Sequence, residues 1–98
     1  MSREGRWAAA VERYQWLACH VDAATALGEV GSTEPDERAP VSVWIAWHEV
    51  QAECWSRLAA RDSMFDWHDR FIGGYHREQA RSLTSVGRRS GVGHAVPG

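Results

Sequence analysis

The chain has 98 residues, 44% of them apolar and six of them Trp, with 24% charged and a net charge of −2. That length holds one small domain, and the low net charge with six indoles argues for a packed core although Leu, Ile, Val and Phe are few. Two cysteines, Cys19 and Cys54, exclude a disulfide framework, and the longest run without an acid or Arg, residues 39–48, is too short to span a membrane.

Every residue of the Lys and Arg class is Arg, and Asn is absent, which removes N-glycosylation. The apolar run at residues 7–11 stops at Glu12, too soon for a secretory core. A reduced, cytoplasmic protein is expected.

Residues 3–27 read as a first helix, because Trp7, Val11, Tyr14, Ala18, Val21 and Thr25 recur at alternating spacings of four and three. Gly28 is placed to end it. Residues 29–40 follow as a loop with Gly31, Ser32, Pro35 and the acids Glu34, Asp36 and Glu37.

A second helix starts between Pro40 and Ser42, where proline costs no hydrogen bond, and continues to about Ala60. Its core stripe is Val43, Trp47, Val50, Cys54 and Leu58.

Asp62 or Ser63 caps a third helical segment carrying Met64, His68, Phe71, Tyr75, Gln79 and Leu83 on one stripe. The stripe keeps its phase across Gly73 and Gly74, which favours one bent helix over two. Residues 88–98 lack periodicity and large apolar groups and read as a flexible tail after a single domain over residues 1–87. No segment alternates as a strand would. The expected fold is all-α: a small bundle made of an antiparallel helical hairpin and a third, bent helix.

Function is written less plainly. The first helix has a second apolar side, with Trp16, His20 and Leu27 about opposite its core stripe, and the second helix has a flank of Trp44, His48, Gln51 and Trp55. A chain this short has only its third segment to cover both. Trp16, His20, Leu27, Trp44, His48 and Trp55 are therefore expected to form a contact between copies, most simply in a two-fold dimer.

Other chemistry is weaker. In an antiparallel hairpin His20 and His48 would lie level, which makes a metal, haem or small-molecule site the runner-up. The two cysteines do not converge with them, however, and no C-x-x-C or H-E-x-x-H spacing occurs. The expectation is no cofactor and no metal. Glu49 and Glu53 sit one turn apart on a polar face and read as solvated.

Arg70, Arg77, Arg81 and Arg88 form a basic ridge suited to an acidic protein surface, such as the residue 29–37 loop of another copy. In a slightly acidic chain, nucleic acid is the weaker reading. No nucleophile or phosphate-loop pattern is present. The sequence thus points to an interaction or adaptor module that self-associates, rather than to an enzyme.

Overall fold

The computed structural model describes the backbone of residues 3–95 and the side chains of residues 5–87. Helix α1 spans Arg3–His20, rich in Ala, Arg, Glu and Gln, which favour helix. It stops where β-branched Val21 meets Asp22. The Asp22 backbone turns extended and its carboxylate accepts the Thr25 backbone N–H at 3.0 Å, an N-cap that starts a new helix, α2, over Ala23–Gly31.

The single helix expected over residues 3–27 is therefore two. Gly28 lies inside α2 rather than ending it, and Ser32 closes α2 by donating its backbone N–H to the Glu29 and Val30 carbonyls. The break reverses the chain direction. Helix α3, Val41–Arg61, follows a loop and begins on Pro40, whose carbonyl accepts the Val43 N–H at 3.0 Å.

The reversal has a topological consequence. Trp7 and Ala10 of α1 share a cavity with Val43 at the start of α3, whereas Ala18, near the end of α1, accepts a hydrogen bond from Arg57, near the end of α3. The two helices run in the same sense. The antiparallel neighbour of α3 on this side is α2, whose last turn receives the Trp47 indole N–H at the Val30 carbonyl, 2.9 Å away.

After α3, Asp62 turns extended and accepts the Met64 N–H at 2.9 Å, opening a 3-10 turn at Ser63–Phe65. Helix α4, Asp66–His68, a π-helical turn, Asp69–Gly73, and helix α5, Gly74–Ala95, follow as one uninterrupted helical segment. The helix expected to continue across Gly73 and Gly74 does so, with the π turn as its irregularity. Its backbone remains helical to Ala95; the side chains of residues 88–98, the expected tail, lie outside the described residues.

The core is built by α1, α2 and α3. Tyr14, Leu17, Ala23, Ala26, Val30, Val43, Ala46, Val50 and Cys54 are buried together, with Trp7, Val11, Leu27, Trp47 and Leu58 packed around them. Leu17, Val30 and Val43 are almost fully enclosed, which is worth roughly 1.5–3 kcal/mol for each such side chain. The α3 stripe read from the sequence is this core. On α1 the stripe misses Leu17 and includes Thr25, which α2 leaves exposed.

Loop residues are tied to the same core. The Tyr14 hydroxyl donates to the Thr33 carbonyl, and burial pushes this phenol above its ordinary pKa. Arg13 grips Glu29 with two hydrogen bonds, of 2.7 and 2.8 Å, across α1 and α2. Among the described residues no helix is long and apolar enough to cross a membrane.

Candidate functional site

Helix α3 is the shared wall of the molecule: α1 and α2 cover one side and the C-terminal segment lies antiparallel on another. That second contact is an aromatic seam with two layers. In the first, His48 of α3 meets His76 of α5, with ring centroids 5.1 Å apart. In the second, Trp55 of α3 stacks on His68 of α4 at 5.3 Å and 12°.

From 48 to 55 is seven residues on α3, but from 68 to 76 is eight. Two α-helical turns take about 7 residues, and one α turn plus one wider π turn takes about 8. The π turn at Asp69–Gly73 therefore absorbs the extra residue and keeps both layers in register. Close approach at this turn requires glycine, because a Cβ on Gly73 would stand 2.8 Å from Asp69 Oδ1 and 3.2 Å from Trp55 Cβ.

The first layer is hydrogen-bonded. Nδ1 of His48 lies 2.8 Å from Nδ1 of His76, so one ring donates and the other accepts. Trp47 packs edge-on against both rings, at 4.9 and 5.7 Å. Burial lowers the pKa of His48; it lowers that of His76 to about 4, with the neighbouring His48 adding to the effect. In the second layer the His68 ring is held between the Trp55 face and the Trp67 edge, and its buried Nδ1 lacks a hydrogen-bond partner.

Outside this seam runs an exposed row. Met64, Trp67, Phe71 and Tyr75 are 68%, 60%, 53% and 51% exposed, and the Trp67 and Phe71 rings touch at 5.0 Å. Trp67 and Tyr75 contact the inner histidines, Trp67 against His68 and Tyr75 against His48 and His76. The row is thus one flank of a packed aromatic layer, continued inward by the half-buried Trp44 and Trp55. The sequence placed Met64, Phe71 and Tyr75 with His68 on one stripe. The structure separates them because the 3-10 and π turns shift the helical phase, and Trp67, four residues before Phe71, joins the exposed row.

The other candidate residues are scattered. Trp16 is exposed, stacked on His20 and covered by the Arg13 guanidinium. His20 sits at the end of α1, its Nδ1 3.3 Å from the Trp16 carbonyl, far along the bundle from His48 because α1 and α3 are parallel. The level His20–His48 pair does not form. Leu27 is partly buried against the core and His48 is buried within the chain.

The Arg ridge is partly neutralised. Arg77 binds Asp69 through its carboxylate at 3.0 Å and its carbonyl at 2.9 Å, and Arg81 lies 3.5 Å from Glu78. Arg70 is exposed, and the Arg88 side chain lies outside the described residues. Arg77 and Arg81 line, with Glu49 and Glu53 of α3, a groove of about 750 Å³ bounded by α1, α3 and α5. Among the described residues no group of three or more His, Cys, Asp or Glu side chains is placed to hold a metal ion. No protein-family model, curated protein or solved structure matches the chain.

Proposed function

We propose that this chain is a helical interaction module that self-associates, acting by binding rather than by catalysis, and that its contact surface is the outer row of the C-terminal segment. The observation that carries this reading is the run of Met64, Trp67, Phe71 and Tyr75, each more than half exposed, from the 3-10 turn through the π turn into α5. Scattered exposed apolar residues are ordinary, but four large ones in a row are the composition of a contact patch. Trp and Tyr are also the side chains that most often dominate binding energy.

The surface differs from the one the sequence suggested. Trp44 and Trp55 remain at its inner edge, whereas Trp16 and His20 lie elsewhere. Both cysteines are free thiols, Cys19 exposed and Cys54 buried, which fits the reducing setting of a cytoplasmic protein.

The test is light scattering coupled to size exclusion over a range of micromolar concentrations. The wild-type chain is expected to run above its monomer mass of 11.0 kDa. Trp67→Ser with Phe71→Ser is expected to return it to monomer mass with unchanged helical circular dichroism. A wild type that stays monomeric throughout overturns the reading.

A further inference from the structure

We propose that the partner on the outer row is a second copy of the same segment, packed antiparallel about a two-fold axis that passes near residue 69. This rests on the self-association reading and adds the geometry of the contact.

Area is the first argument. Large side chains present about 200 Å² each, so the exposed fractions of Met64, Trp67, Phe71 and Tyr75 leave about 450 Å² per chain. Two copies supply about 900 Å² before any flanking residue is counted, and a specific interface needs about 1,000 Å². Flanking Ser63, Asp66 and Arg70, all exposed, complete that area. The row is therefore large enough to be matched by itself.

Register is the second. In an antiparallel pair centred near residue 69, Trp67 of one copy lies level with Phe71 of the other, and Met64 with Tyr75, each twice. Every large side chain of the row then meets another. An isologous contact of this kind closes on itself and produces a dimer rather than a filament.

Charge selects the direction. Asp66 and Arg70 are both exposed on the row's outer margin, and neither is engaged in an ion pair among the described residues. Antiparallel packing brings the same margin of both copies together in reverse order, so Asp66 meets Arg70 of the other copy, twice. A parallel two-fold pair would carry this margin of the two copies to opposite sides of the contact, so Asp66 would meet no Arg70 and the pairing would be lost.

Disulfide trapping tests this in the full chain, with exposed Cys19 replaced by Ser. Ser63→Cys and Gly74→Cys lie on the same margin, and a Cβ at Gly74 meets nothing within 4 Å. The two chains, each with one introduced cysteine beside the buried Cys54 and one enlarged by a tag, are mixed and oxidised at a concentration where light scattering reports the mass. The expected product is the mixed 63–74 disulfide, several-fold over either like-with-like product. Like-with-like disulfides, or none, in a sample of dimer mass overturn the antiparallel pairing and leave self-association standing. A monomer mass for the parent chain overturns both. As an independent readout, Asp66→Arg is expected to weaken the dimer about tenfold and Asp66→Arg with Arg70→Asp to restore it; equal weakening by both contradicts the pairing.

Discussion

Nδ1 of His48 on α3 and Nδ1 of His76 on α5 share one hydrogen bond of 2.8 Å, and Trp47 closes over both rings from the core side. The bond needs one ring to accept, so it survives a single added proton and not two. Burial disfavours even the first. The seam that positions the outer row is therefore joined by a pair of groups whose charge state depends on pH.

Stability should accordingly fall on mild acidification. Imidazoles ordinarily titrate near 6.5, whereas folded His76 resists protonation down to about 4 and folded His48 is shifted in the same direction. As pH drops below 6.5, the unfolded chain binds protons that the folded chain refuses, so the folded state loses stability through that window. Glu34 opposes the shift at His48. The carboxylates of Asp22 and Glu29, held below their usual range by Thr25 and Arg13, contribute loss only at lower pH, through their own titration. Urea midpoints from pH 7.5 to 5 are expected to decline in the wild type and to flatten in His76→Gln. An equal decline in both would assign the effect to other groups.

Two adjacent glycines should respond oppositely to alanine. At Gly74 the new methyl meets nothing, and the gain in helix propensity should stabilise the chain by about 0.5–1 kcal/mol. At Gly73 the methyl strikes the Asp69 carboxylate that holds Arg77 and crowds Trp55 Cβ. Gly73→Ala is expected to lower the melting temperature while Gly74→Ala raises it. A rise of equal size in both would mean the π turn does not depend on the close approach.

How much was readable in the sequence divides along physical lines. The α3 stripe of Val43, Trp47, Val50, Cys54 and Leu58 was, because regular helix preserves a period of about 3.6 residues. The break at Asp22 was not, although Asp22 and Thr25 stand at capping distance, because the four-and-three spacing from Trp7 to Val21 continues in phase to Thr25 of α2. That one missed cap turned α1 parallel to α3 and removed the expected meeting of His20 and His48. On the C-terminal segment the π turn had the same effect. It adds a residue to one turn, so a stripe counted at constant period mixes inward His68 with outward Phe71 and Tyr75.

Trp47 joins core and seam, and its loss should be severe. It packs on the buried cluster, donates to the Val30 carbonyl and touches both histidines. Trp47→Ala is expected to cost about 3–5 kcal/mol in denaturant unfolding. Trp16→Ala, which removes an exposed ring, should fall within about 1 kcal/mol of wild type. Similar costs for the two would place the core on the wrong face of α1 and α3.

Hydroxyl-radical footprinting at increasing protein concentration reads, residue by residue, the outer row of the C-terminal segment proposed to meet another copy of the chain. Met64, Trp67, Phe71 and Tyr75 all react readily when exposed, as does Trp16 on α1, outside the row. Labelling of the four is expected to fall together as concentration rises through the dimerisation range while labelling of Trp16 stays constant. Constant labelling of the four, or protection of Trp16 in their place, would contradict it.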